Sequence, residues 1–450
     1  MVPLLNITPN AKFLSILVDC LQLLAFQHTE SKVAILHSGG IQILVSLLQQ
    51  FDYPKLLLNT TRLLKVLSCC SQVKSTMISL NAIQVLTHHL GSNSYDIVSN
   101  SLTAIRNMSD AATRLHGLDP LVQSLLNFLA SSKDVALMIL SAGILSNITC
   151  NNEYNKKTAV SLNAVPILLT TIQNMIQHPK LVEPCLCALK HITNKHQDML
   201  LAQEQMRSVN GLAVISDLMS MIPRNMMVMK TLLGLIRNFC SNQLNSAHMR
   251  QFSIIEKLMQ VLYETYTQIQ MHGMISLDDT KLTDIIDACS AALIILAKEP
   301  TNQLLMKKLD CISFFVQMFY SPVSNIRKAA AILLAELSSS SECALDIEQQ
   351  PGLLQFVQEN FYNQYGNIKT IAELSANGTP NASSTLILQH VSTMMQRLQE
   401  HNAQRHMMHQ QHQMSQYQYQ PMPTSQSNQS LVQPVIQQQQ QQQQQPTQQM

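Results

Sequence analysis

The sequence has no tryptophan, and charged residues make up only 12% of its 450 positions. Without tryptophan there can be no Trp-Asn pairs of the kind that hold basic peptides. A net charge of +2 gives no overall pull toward nucleic acid or a membrane surface, so any electrostatic function must come from local patterning. Glycine is scarce (11) and proline moderate (16), which favours helices over sheets. The ten cysteines form no C-x-x-C pair. Cys69 and Cys70 are adjacent, and Cys185-x-Cys187 falls on a helix, where residues two apart diverge. These are expected to be reduced, packed thiols of a cytosolic or nuclear protein. No signal peptide is visible, and no apolar run is long enough to span a bilayer. There is no phosphate loop, no Gly-x-Ser-x-Gly and no repeated His/carboxylate cluster, so neither an enzyme nor a cofactor is expected. His406, His409 and His412 share a helical spacing, but no Cys or carboxylate completes a metal site.

What is present is a repeat. Thr103–Met108 recurs in degenerate form as Gly143–Ile148, Cys187–Ile192 and Gly234–Phe239. Related copies end at Leu24, Leu67, Leu296 and Leu337. The last residue of each copy is apolar, and so is the residue three before it: Leu21, Leu64, Ile105, Leu145, Leu189, Ile236, Leu293 and Leu334. That spacing places both on one helix face, which should pack inward. The copies are 43, 41, 40, 44, 47, 57 and 41 residues apart. A helical repeat of about 42 residues indicates an armadillo or HEAT solenoid. A short helix, a Gly- or Asn-bearing corner and a second apolar helix precede the recurring one, as in Glu30–Ser38, Gly39-Gly40 and Ile41–Gln49. The short first helix favours armadillo. The fold class is therefore all-α: a right-handed superhelical armadillo-repeat solenoid with a disordered Gln-rich C-terminal tail.

Between the two apolar columns lie two polar ones. Two residues before the apolar end stand Gln22, Lys65, Arg106, Ser146, Lys190, Arg237, Ile294 and Ala335; one residue before it stand Leu23, Val66, Asn107, Asn147, His191, Asn238, Ile295 and Glu336. Stacking should turn the central part into a strip of cations and amides. Lys230 lies seven residues before Arg237, on the same face, and with Lys190 and Lys195 completes the densest basic cluster. Asparagine amides on such a strip can bond both N–H and C=O of an extended peptide, or simply cap a neighbouring repeat. Methionines (25) read as core filler at helical spacing.

These features divide the chain into a partial repeat at 1–38, central repeats at 39–251, a repeat with an inserted loop near 265–279 at 252–308, terminal repeats at 309–399 and a disordered tail at 400–450. Val2-Pro3-Leu4-Leu5 reads as the end of a second helix, so the chain starts inside a repeat.

Leu63–Ser68, Ile105–Thr113, Ala142–Asn152 and Gly234–Asn238 closely resemble the β-catenin family, and the similarity runs over roughly residues 1–350, from the family's fourth repeat onward. The resemblance implies a groove for acidic, extended ligands: T-cell-factor/lymphoid-enhancer-factor proteins, cadherin cytoplasmic tails, adenomatous polyposis coli and axin-like proteins. It assigns charged anchor roles to Lys32 and Lys156. Its other groove contacts fall on Lys55, Lys65, Arg106, Asn107, Asn147, Asn151, Lys190, His191, Lys195, Lys230 and Arg237. It also implies roles in Wnt signalling as a transcriptional coactivator and in cell–cell adhesion, in cytoplasm, nucleus and adherens junctions. The family more often has arginine at Lys190 and Lys195; lysine keeps the charge without the planar fork. Its groove tryptophans are replaced by Leu58 and Thr103, and a tyrosine by Phe26. The family's first three repeats, phosphodegron and α-catenin-binding helix have no counterpart, so α-catenin is not expected as a partner. Direct nucleic-acid binding and membrane insertion are not expected either. Two alternatives stay open: a truncated antagonist competing for β-catenin partners, and an importin-α-like nuclear transport adaptor.

Overall fold

The computed structural model describes residues 1–7, 9–221, 225–277, 279–362 and 382–417. They fall into two units, residues 1–398 and the chain from 399 onward. The first unit is an armadillo solenoid built on two rows of helices. One row holds the recurring helices, called ladder helices below: Ala11–Ala25, Pro54–Ser68, Tyr95–Ser109, Val135–Thr149, Pro179–Ile192, Met226–Cys240, Leu282–Leu296 and Ser324–Leu337. Each packs on the next in chain order. The helices before them, from Gly40–Gln50 to Cys311–Phe319, form the second row in the same way.

Local chemistry sets the boundaries. Asn10 accepts from the Phe13 amide and Asn225 from the Val228 amide, and Asp134 accepts from Ala136 and Leu137; each starts a ladder helix. Pro54 and Pro179 start two others from the first turn. Corners before the second-row helices bend through left-handed residues, including Gly39 (φ 71°), Asn81 (φ 55°), Asn163 (φ 56°) and Asn210 (φ 53°). Glycine and asparagine adopt this conformation most readily, which is why the corners were visible in the sequence.

Both apolar columns are buried as expected from the second copy onward; Leu64, Leu67, Ile105, Met108 and Ile236 are all 0% exposed. Leu24 is the exception, at 56%. Each later ladder helix packs on a preceding one, whereas none stands before Ala11–Ala25 among the described residues.

Three other expectations need correction. The repeat at 110–131 lacks the short first helix. Its residues 110–118 run as turns, with Gly117 at φ 70°, and Asn152 of the next repeat donates to the Thr113 and Leu115 carbonyls. The inserted loop near 265–279 is helical as far as His272, because Leu258, Leu262 and Thr265 are buried at helical spacing with Tyr266 and Ile269 half-buried beside them. Gly273 (φ 61°) ends that helix, and Ser276–Leu277 pairs antiparallel with Thr280–Lys281. Third, the tail expected to be disordered from 400 is helical as far as Tyr417, in the helix Ala382–Tyr417, while the expected boundary itself lies within one residue of the division between the two units. Within the first unit this helix buries Ile387, Val391, Met394 and Leu398, and Arg397 donates to the Ala335 carbonyl. The tail expected to be disordered, including Gln437–Gln445, lies from 418 outside the described residues. Among the described residues no single helix is long and apolar enough to cross a membrane.

Candidate functional site: the face of the ladder helices

Residues 12, 9, 5 and 2 positions before each apolar end share one face of a ladder helix. Contacts along this face run from each helix to the next. Lys65 Nζ donates to Asn100 Oδ1 at 2.6 Å. The Arg106 side chain crosses Gly143 so closely that a Cβ there would sit 2.6 Å from Nε. The Lys190 stem crosses Gly234 in the same way, 3.0 Å from where a Cβ would be. Two glycines thus act as cradles that hold a long cationic side chain against the neighbouring repeat. Arg62 and Asp19 approach to 3.9 Å, and Lys230 forms an ion pair with Asp284 at 2.7 Å. Lys65, Arg106, Lys190 and Arg237 therefore lie along one shared strip. Among the described residues none of these four is paired with a carboxylate, and Arg237 is exposed with no hydrogen bond.

The column next to it does different work. Asn107 Nδ2 donates to Ser68 Oγ at 3.0 Å, Asn147 Nδ2 to Ser109 Oγ at 2.9 Å, and Asn238 Nδ2 to the Lys190 carbonyl at 2.8 Å. Each side chain staples its repeat to the end of the preceding ladder helix. Ser68, Ser109, Thr149 and Thr193 form a further column directly after the apolar end; Ser68 and Ser109 accept from Asn107 and Asn147, and Thr193 Oγ1 lies 3.5 Å from Asn238 Nδ2. Their own hydroxyls donate back into their helix, as Ser68 does to the Lys65 carbonyl at 2.7 Å. The amide N–H groups are thereby engaged, which leaves the Asn carbonyl oxygens as the groups that can accept from a ligand backbone. This hydroxyl column was legible as a run of Ser and Thr at one repeat position, but has no meaning until two repeats are seen together.

His191 takes the asparagine position in its repeat. Its Nδ1 lies 3.0 Å from the Ser146 carbonyl, so Nδ1 carries the proton. Burial, then the charge of Lys190, lowers its pKa to about 4, and the Ser146 bond only partly opposes this. At neutral pH it is a neutral staple and adds no charge to the strip. The unfolded chain binds this proton with the ordinary pKa of 6.5, the folded one only near 4. Stability from this residue is therefore present above about pH 6.5 and is lost as pH falls toward 4. Thermal melts at pH 7 and pH 5 should show a smaller drop for His191→Asn than for the natural sequence.

The remaining expected positions are placed differently. Lys55 is exposed in the first turn of Pro54–Ser68. Lys32 is half-buried on the short helix Thr29–His37, off the ladder row. Lys156 is 5% exposed; its Nζ donates to the Asn194 carbonyl at 2.9 Å, and burial lowers its pKa. Asn151 and Lys195 are exposed, both at φ 54°, in the loops that follow two ladder helices. Sequence reasoning missed Asp284, which sits 54 residues from the lysine it neutralises, beyond the insertion.

A family model described as Armadillo/beta-catenin-like repeat matches residues 70–110. Junction plakoglobin of Xenopus laevis is 40% identical over 355 residues, 78% of this chain and 48% of that protein. Catenin beta of Urechis caupo is 37% identical over 348 residues, 76% of this chain and 42% of that protein. A solved structure reported for a phosphorylation switch controlling the interaction between cadherin and β-catenin superposes with a TM-score of 0.73 and 26% identity, covering 89% of this chain and 75% of that one. The chain spans about half the length of the curated relatives it matches. Period, corner chemistry, stacking and sequence similarity agree: the chain belongs to the β-catenin family of armadillo-repeat proteins.

Proposed function

We propose that the ladder face is a peptide groove and that the chain is a scaffold for acidic, extended protein segments. The supporting observation is that Lys65, Arg106, Lys190 and Arg237, from four repeats, lie on one strip without carboxylate partners. The proposed ligands are cadherin cytoplasmic tails and the acidic segments of T-cell-factor/lymphoid-enhancer-factor, adenomatous polyposis coli and axin-like proteins. The proposed sites of action are adherens junctions, cytoplasm and nucleus. Lys55 and Lys230 share the face, Lys195, Asn107, Asn147, Asn151 and Asn238 are the proposed flanking contacts, and Lys32 and Lys156 are the proposed anchors off the ladder row.

Spacing narrows the ligand. Neighbouring helices pack about 8–10 Å apart, and an extended chain advances about 3.3 Å per residue, so one repeat corresponds to about three ligand residues. Ser146 interrupts the cation column between Arg106 and Lys190. The preferred ligand therefore carries two acidic clusters separated by a neutral stretch. Its backbone N–H groups donate to the Asn carbonyls.

Aspartate-rich and lysine-rich peptides of equal length, each titrated against the protein by fluorescence anisotropy, test the reading. Preferential binding of the aspartate-rich peptide, weakening with salt, is expected. Preference for the lysine-rich peptide would instead favour an importin-α-like carrier. Asp284→Asn should strengthen binding of the aspartate-rich peptide by about threefold, since it frees Lys230 from a partly exposed pair worth about 0–1 kcal/mol. Isothermal titration of the variant checks this.

A further inference from the structure

Where Ile254–His272 and Cys311–Phe319 pack side by side in the second row, they enclose an open cavity of about 490 Å³. Its wall carries two carboxylates, Glu256 and Asp310, and two aromatic rings, Tyr263 and Phe314. Among the described residues no lysine, arginine or histidine lines it. The nearby lysines are drawn elsewhere: Lys257 Nζ donates to the Ser216 carbonyl at 2.6 Å, and Lys307 reaches Asp346 at 3.2 Å. Lys308 is exposed and outside the lining.

Three observations on this cavity converge. Glu256 Oε2 is shielded from solvent and has no hydrogen-bond partner among the described residues. A carboxylate oxygen without a donor favours a cationic partner that can supply one. The rings form a preset aromatic corner, with Tyr263 and Phe314 centroids 5.3 Å apart and Tyr266 and Phe314 5.6 Å apart. Tyr266 is fixed by donating its hydroxyl to the Gln317 carbonyl at 3.1 Å, while Tyr263 remains 56% exposed. Cys311, at the cavity edge, has its thiol pushed up to about 12 by burial, with the charges of Asp310 and Glu256 adding. Both carboxylates thus act on the same small region.

We propose that this cavity is a second binding site, separate from the ladder face, which takes the alkylammonium head of a lysine side chain from a partner protein. An ammonium is attracted both to the ring faces and to the unpartnered carboxylate. The methylene stem of lysine suits the apolar wall made by Met259 and Leu309. The partner recognised here is basic, where the ladder face recognises an acidic one. One chain could then hold two segments of opposite charge at once.

The full chain with 13C-methyl-labelled methionine provides the readout, with the Met259 signal assigned through Met259→Leu. N-acetyl-lysine N-methylamide should shift that signal saturably. Its ε-acetylated form, which has no charge, should not. Glu256→Gln and Tyr263→Ala should each weaken the apparent affinity, by about fivefold to tenfold. Tyr263 is exposed, so its variant keeps the fold even if Glu256→Gln melts early. Equal shifts from the acetylated form, or unchanged affinity in both variants, would overturn the proposal. So would choline binding more tightly than the lysine probe, which would assign the cavity to a free quaternary amine. Lys190→Glu with Arg237→Glu should leave this titration unchanged, so the site stands or falls independently of the groove.

Discussion

Replacing Lys190 and Arg237 together by glutamate is expected to weaken binding of an aspartate-rich extended peptide by about 100-fold or more near physiological ionic strength. Each replacement removes a charge-assisted contact worth about 1.5–3 kcal/mol and leaves a carboxylate facing the acidic ligand. The two positions belong to adjacent ladder helices, and neither is neutralised within the protein, so the free state gains little when the charge is reversed. The fold should tolerate the change. Arg237 is exposed, and the Lys190 stem lies over Gly234, where a shorter side chain also fits. Lys74→Glu serves as a control off the ladder face: it breaks the exposed ion pair with Asp110 and should leave peptide affinity within about twofold. If the double variant bound as tightly as the natural sequence in isothermal titration, the ladder face would not be the ligand site. The loss should also shrink as salt rises, because it is electrostatic in origin.

Much of this arrangement was legible before any coordinates. The period came from two apolar columns whose burial is dictated by helix geometry. The corners came from Gly39, Asn81 and Asn210, whose conformations few other residues tolerate. The cation column was visible because Lys and Arg recur where only a solvent-facing position permits them. What stayed hidden depends on neighbours distant in sequence. Leu24 has the same local pattern as Leu67, yet only the helix of Leu67 has a ladder helix before it among the described residues. Asn107 and Asn147 read as ligand contacts or as staples, and the staple role emerges only once Ser68 and Ser109 of the repeat before are brought to them. His191 looks cationic beside Lys190, but burial removes its charge. Lys230 looks free until Asp284 is brought to it across the lengthened helix. Gln268 and Gln270 around Ile269 obscured the helical stripe that carries Ile254–His272 past its expected end.

Phe239→Ala should produce the largest change in stability, and its pattern tests how the solenoid holds the site. The ring is 0% exposed and sits in the last turn of the ladder helix that carries Arg237 and Asn238. Truncating a buried phenylalanine costs about 3–5 kcal/mol through lost burial and the cavity left behind. In a solenoid this loss falls on one repeat and its two interfaces, because stability is close to a sum of local and nearest-neighbour contributions. Amide hydrogen exchange should therefore speed up across Met226–Cys240 and its neighbours while Pro54–Ser68 stays protected. Asn238→Ala removes only the staple to the Lys190 carbonyl and should cost about 1 kcal/mol. The two variants separate packing from stapling. If Phe239→Ala accelerated exchange equally in every ladder helix, the repeats would unfold as one cooperative block. Acidic-peptide binding should fail in Phe239→Ala for a second reason as well: once this helix frays, Arg237 leaves the strip and Lys190 loses the glycine cradle at Gly234 that holds its stem in place.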